Sequence, residues 1–182
     1  MNPKISDFGT ARIFKANQNQ ANTIRVVGTF GYMPPEYVLR GFFSEKSDVF
    51  SYGVLLLEIV SGRRNASFYQ SNDSLNLLQY AWDLWEEDKA LELMDPMLGD
   101  ACPSNEVLKC IQIGLLCVQE RAIDRPTMSD VVALLGIDIT SLPFPNQAAF
   151  STGTGMVSLG LHLSSTEDSN SNEVTITTLE GR

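Results

Sequence analysis

The sequence predicts a mainly α domain followed by a tail with little core of its own, and three observations carry that reading. Apolar residues recur at helical spacing in several segments between residues 48 and 135. Strand-like alternation is scarce. From about Thr140 onward Ser, Thr, Asn and Gly dominate and large apolar residues thin out, the composition of a flexible tail.

Residues 3–6 read as a short strand leading into Asp7-Phe8-Gly9. Residues 15–29 are polar and read as a loop. Residues 28–35 hold two glycines and two prolines, which marks structured turns. A helix is predicted over residues 48–61, capped by Ser47 and ended by Gly62. Its side chains are apolar almost all round, which places it at the centre of a domain. Residues 62–74 read as a loop. Leu75, Leu78, Trp82 and Trp85 step along one helical face, and both tryptophans read as core anchors. A short helix follows at residues 90–94 and breaks at Asp95-Pro96. The next helix, residues 106–118, turns Val107, Ile111, Gly114, Leu115 and Val118 inward. Thr127 and Asp130 form a carboxylate capping box that opens a last helix, residues 131–135. Residues 173–179 could pair as a strand, though a disordered segment is the reading preferred there.

With 182 residues, 43% of them hydrophobic and 19% charged, the chain suits one medium globular domain with a tail. A net charge of −9 repels phosphate backbones and argues against nucleic acid as a partner. No apolar run reaches the roughly 20 residues of a membrane span, and residues 1–5 hold no signal core. The reading is therefore soluble and intracellular. Cys102, Cys110 and Cys117 are an odd set with no zinc spacing, read as three reduced, buried thiols. Asn65-Ala66-Ser67 and Asn72-Asp73-Ser74 match the glycosylation acceptor pattern, which also arises by chance.

The chemistry-bearing motifs come in a fixed order. Asp7-Phe8-Gly9 is followed by Gly28-Thr29-Phe30-Gly31-Tyr32-Met33 and Pro35-Glu36. Then come Lys46-Ser47-Asp48-Val49-Phe50-Ser51-Tyr52-Gly53-Val54 and, far downstream, Asp124-Arg125-Pro126-Thr127-Met128. Each alone is weak; together they resemble the second half of a protein kinase, from the magnesium-binding motif to the end of the large lobe. Residues 28–37, 47–62, 75–85, 113–120 and 172–182 look more closely like plant S-domain (G-type lectin) receptor-like serine/threonine kinases and their cysteine-rich relatives.

That resemblance implies a partial kinase large lobe over residues 1–138 and a disordered tail over residues 139–182. It implies that Asp7 holds magnesium, a hard cation suited to a carboxylate. Phe8 would pack at the lobe interface and Gly9 would permit a backbone flip. Residues 10–36 would form the activation segment, with Thr29 placing the substrate hydroxyl and Thr23 a candidate phosphorylation site. Glu36 and Arg125 would form a buried ion pair, and Asp48 would brace the catalytic loop; these three are structural. ATP and magnesium would serve the complete kinase, with protein substrates or kinase partners. The parent would be a single-pass plasma-membrane protein with this part in the cytosol.

Two departures stand out. Pro34 replaces the Ala or Ser usual before Pro-Glu, and proline removes an N–H donor. Thr10 is more polar than the residue common after the glycine. Several parts are also lacking. There is no Gly-x-Gly-x-x-Gly loop and no His-Arg-Asp, and the only histidine is His162 in the tail. The expectation is therefore a C-terminal piece of a signalling kinase, without a complete catalytic set or a cofactor of its own, inactive alone and marginally stable. The alternative is a catalytically dead module or decoy that binds kinase partners.

Overall fold

The computed structural model describes residues 4–6, 8–9, 11, 13, 20–29, 31–65, 76–150 and 175–176. One long helix, α2 (Glu45–Ser61), organises them; a shorter one, α1 (Pro35–Arg40), precedes it. The helix α2 starts three residues before the expected Asp48. Ser44 is its cap, its side chain accepting from the Lys46 N–H at 3.1 Å, and Ser47 Oγ returns the bond by accepting from the Ser44 N–H at 3.0 Å. Ser47 is thus inside the capping box, not its first member. Its first turn is polar, so no apolar period announces it. Gly62, at φ 64°, ends the helix in the left-handed conformation that glycine takes without a Cβ penalty.

Three further helices pack around it: α3 (Leu77–Glu86), α4 (Ser104–Cys117) and α5 (Met128–Gly136). The helix α4 lies very close to α2. A Cβ added at Gly53 would come within 2.6 Å of Cys117 Cβ and 3.0 Å of the Gly114 carbonyl oxygen. One added at Gly114 would stand 2.8 Å from Leu57 Cδ2. Paired glycines therefore set the spacing of the two helices. Phe50, Val54 and Leu57 of α2 join Leu77, Leu78, Ala81 and Trp82 of α3 and Ile111 and Leu115 of α4 in the main core. Val49, Ile113, Cys117, Val131 and Leu142 form a smaller one. The expectation that α2 is buried all round is corrected: Leu55 and Ile59 are 47% and 63% exposed.

Asn76 caps α3 by accepting from the Gln79 N–H at 2.9 Å. Of the expected apolar face, Leu78 and Trp82 are buried, Trp85 is half-buried, and Leu75 lies outside the described residues. The short helix expected at residues 90–94 is a 3-10 turn, Ala90–Leu93, followed by a second, Pro96–Ala101. Val107, Ile111, Gly114, Leu115 and Val118 all face inward as expected. Thr127 and Asp130 form the capping box, and α5 starts just after Thr127. The three cysteines are free, but only Cys117 is buried; Cys102 and Cys110 are half-buried.

Among the described residues strands are minimal. The loop expected over residues 15–29 contains β1 (Ala21–Asn22), which pairs antiparallel with β3 (Phe42–Phe43), and β2 (Val27–Gly28), which pairs in parallel with β4 (Thr175–Ile176). Residues 4–6 are irregular where a strand was expected, and Pro3 lies outside the described residues.

The chain also stays packed beyond residue 138. After a 3-10 turn, Ile139–Ser141, it runs back over the core as far as Phe150. Leu142, Ala148 and Ala149 are buried. The Ala149 N–H donates to the Val118 carbonyl at 2.8 Å, and the Glu120 N–H to that of Gln147 at 3.1 Å. Buried Gln112 and Gln119 supply the polar partners: Gln112 Nε2 donates to the Pro143 carbonyl at 2.8 Å, and Gln119 Oε1 accepts from the Asn146 N–H at 3.1 Å. Composition misses this segment because two alanines and two core glutamines hold it, with no apolar period. Residues 151–174 and 177–182, His162 among them, lie outside the described residues.

Candidate functional site

A cavity of about 790 Å³ opens beside the first turns of α2. Phe8 and Gly9 line one side, residues 27–29 and 32–34 another, and Ser44, Ser47, Asp48, Ser51 and Tyr52 the helix side. Of the residues singled out in the sequence, Phe8, Gly9, Thr23, Thr29 and Asp48 meet here. Asp7 lies outside the described residues. Phe8 is 68% exposed. The Thr23 hydroxyl is used locally: it donates to the Arg25 carbonyl at 2.9 Å and accepts from the Arg25 N–H at 3.2 Å. Among the described residues, Asp48 is the only carboxylate lining the cavity. Burial, and after it the Glu45 carboxylate, raises its pKa above the usual carboxylate value.

Glu36 and Arg125 are not among the residues lining the cavity, but their pair ties the segment beside it to the helical core. The Arg125 side chain is fully buried and that of Glu36 is 20% exposed. Arg125 Nη1 donates to Glu36 Oε1 at 2.7 Å and Nη2 to Oε2 at 2.9 Å, a bidentate pair. The remaining N–H groups reach the carbonyls of Gln119 at 2.7 Å, Lys46 at 3.3 Å and Glu120 at 3.0 Å. All five guanidinium donors are thereby used. The guanidinium also lies 4.9 Å from the centroid of the Phe50 ring. Lys46 Nζ donates to the Arg125 carbonyl. One side chain thus joins α1, the start of α2 and the turn after α4.

Pro34 fits its place. It caps α1 at φ −74° and ψ 157°, a conformation proline adopts freely, and its carbonyl accepts from the N–H groups of Tyr37 and Val38, each at 3.1 Å.

The family model for the protein tyrosine and serine/threonine kinases matches residues 1–135. The chain belongs to that family. Among curated relatives, it is 53% identical over 182 residues to a G-type lectin S-receptor-like serine/threonine-protein kinase of Arabidopsis thaliana, covering all of this chain and 22% of that protein. It is 51% identical over 188 residues to the receptor-like serine/threonine-protein kinase SD1-7 of the same plant, again covering 100% of this chain and 22% of the relative. It is 54% identical over 147 residues to cysteine-rich receptor-like protein kinase 10 of Arabidopsis thaliana, covering 81% of this chain and 22% of the relative. The chain thus spans about 22% of the length of the curated relatives it matches. Its mainly helical architecture is that of a partial kinase large lobe.

In this kinase lobe the described residues include no group of three or more His, Cys, Asp or Glu that could hold a metal ion. Asp48 alone is a poor magnesium site, since that ion takes near-octahedral oxygen coordination. Among the described residues no helix is long and apolar enough to cross a membrane.

Several residues that shape the wall were given no role in the sequence. The Tyr37 hydroxyl donates to the Val27 carbonyl and accepts from the Val27 N–H, each at 3.0 Å, pinning β2. Ser51 Oγ donates to the Tyr32 carbonyl at 2.7 Å. The Tyr32 hydroxyl donates to Glu58 Oε2 at 2.7 Å; burial, then that hydrogen bond, pushes its pKa up to about 12. Tyr32 and Ser51 lie inside the kinase motifs, which was the available signal. Asn65 showed only a glycosylation pattern, yet its side chain is buried and hydrogen-bonded, which leaves no room for a glycan on the folded chain.

Proposed function

We propose that this chain is the substrate-side part of the large lobe of a receptor-like serine/threonine kinase, acting in ATP-dependent phosphorylation of proteins in signal transduction. The observation that supports it best is the Arg125–Glu36 pair. It fixes the end of the 28–36 loop to the helical core while Thr29 and Asp48 line one cavity. In this reading Asp7 is the magnesium ligand and Phe8 and Gly9 complete its motif. Residues 10–36 are the activation segment, Thr23 is a phosphorylation site within it, Thr29 orients the substrate hydroxyl, and Asp48 braces the catalytic loop. Bound ATP and magnesium supply the phosphoryl group and neutralise its charge. The chain's own part is positioning: a rigid wall that presents a protein Ser or Thr to that group. The relatives' receptor-like character supports a cytosolic place for this part in a membrane-anchored parent.

The test uses the natural gene product that contains this chain, given ATP, magnesium and casein. Phosphate is expected on Ser and Thr of the casein, and the Asp7→Ala variant is expected to lose at least about a hundredfold in kcat. No transfer by the wild type, or transfer to Tyr alone, would overturn the reading.

A further inference from the structure

Asn65 joins three parts of the lobe that are far apart in sequence. It follows α2 by a few residues and is 1% exposed. Its Nδ2 donates to the Gly31 carbonyl at 2.8 Å, and its Oδ1 accepts from the Leu77 N–H at 3.2 Å. Its backbone N–H donates to Glu58 Oε1 at 2.7 Å, while the other oxygen of that carboxylate accepts from the Tyr32 hydroxyl. The turn at residues 31–32, the last turns of α2 and the first residue of α3 therefore meet on a single buried residue, the first and third of them on its side-chain amide.

We propose that Asn65 is a positioning residue for the protein substrate, holding the Gly31–Tyr32 turn, and with it Thr29, in register with the helical core. The proposal rests on the kinase reading above. The chemistry at this point calls for one donor and one acceptor on a short branch, which is the asparagine amide. Aspartate would keep the acceptor for Leu77 but lose the donor for Gly31, and would set a second carboxylate beside Glu58. Gly31 sits at φ 95°, a conformation open to glycine, so local sterics alone do not fix the direction of its carbonyl. The partner that fixes it is Asn65. The next link is short: the Tyr32 N–H donates to the Thr29 carbonyl at 3.3 Å, so the same turn carries the cavity wall. Asn65 is not among the residues lining the cavity. Its loss should therefore weaken the fit of the substrate and leave the nucleotide unaffected.

Asn65→Asp and Asn65→Ala separate the two ends of the amide. In the natural gene product, Asn65→Asp is expected to raise KM for casein about tenfold, with KM for ATP and kcat within about twofold. Hydrogen exchange of the chain itself supplies a second readout that needs no activity. Asn65→Asp is expected to speed exchange in residues 28–33 about tenfold and spare the start of α3, and Asn65→Ala to speed both. If the wild type transfers no phosphate, the kinase reading fails, and the exchange arm still decides whether Asn65 holds the turn. Unchanged exchange in residues 28–33 with unchanged KM for casein would overturn the proposal. So would uniformly faster exchange through α2 and α4 in Asn65→Asp, because Asn65 would then serve overall stability only.

Discussion

The two sides of α2 are built by different means. Toward α4 the contact is apolar and close, made by Gly53, Val54 and Leu57 against Ile111, Gly114, Leu115 and Cys117. Toward the cavity wall it is polar and made at points: Ser51 to the Tyr32 carbonyl, Glu58 to Tyr32 and Asn65, and the Lys46 carbonyl to Arg125. Close packing of many apolar atoms makes a rigid frame that tolerates few volume changes. Single hydrogen bonds set direction and contribute modestly each, unless their loss strands a buried charge. The lobe thus has a frame held by shape and a wall held by a few named bonds. Substitutions on the two sides should fail differently.

The largest expected effect is on the wall side. Arg125→Ala strands Glu36 and leaves three carbonyls without their donor, so urea unfolding should show a loss of about 3–5 kcal/mol. Replacing both partners, Arg125→Met with Glu36→Leu, should recover much of that, because no uncompensated charge remains. A loss under about 1 kcal/mol for the single variant would mean that the pair is a solvated tether, and the contrast between frame and wall would weaken. The frame side is sharpened by Gly53→Ala. Its new methyl meets Cys117 Cβ and the Gly114 carbonyl, neither of which can swing away, so a loss of about 1–3 kcal/mol is expected. Burial pushes the Cys117 thiol up to about 12, which keeps it unreactive while the helices stay together. Iodoacetamide should therefore label Cys117 faster in Gly53→Ala than in the wild type. At Gly136, where an added Cβ meets nothing within 4 Å, the same substitution should be neutral or slightly stabilising.

The same division explains what was legible in the sequence. The frame could be read from periodicity: the inward residues of α4, the core face of α3 and the Thr127–Asp130 capping box all follow from spacing and local chemistry. The start of α2 is not legible because Glu45 to Ser47 carry no apolar signal. The packing of residues 139–150 is not legible because Ala148 and Ala149 bury small surfaces, and Gln112 and Gln119 add no apolar signal. The wall could be read only through its likeness to a family. Glu36 and Arg125 are paired across 89 residues, and no periodicity links them. Asn65 and Gly31 are 34 apart, and Asn65 lies outside the motifs that carry the resemblance. A short polar side chain says nothing in sequence about which distant carbonyl it will meet.

The smallest expected loss concerns Tyr32, the point where the wall's own network becomes sensitive to pH. Burial first and the Glu58 hydrogen bond second raise its hydroxyl from 10.0 to about 12. The folded chain therefore keeps this proton in a range where the unfolded chain has lost it. By linkage, the contribution of Tyr32 is intact below pH 10 and is lost as pH rises toward 12. Tyr32→Phe removes the bond to Glu58 and should cost about 0.5–1.5 kcal/mol near neutrality. Over pH 9 to 11.5 the urea midpoint of the variant should fall less steeply than that of the wild type. Burial raises the Tyr52 hydroxyl too, so both proteins will slope downward, and the difference between them isolates Tyr32. Equal slopes would mean that Glu58 holds Asn65 alone, and that the wall is fastened to α2 through Ser51 and the Asn65 amide without the tyrosine.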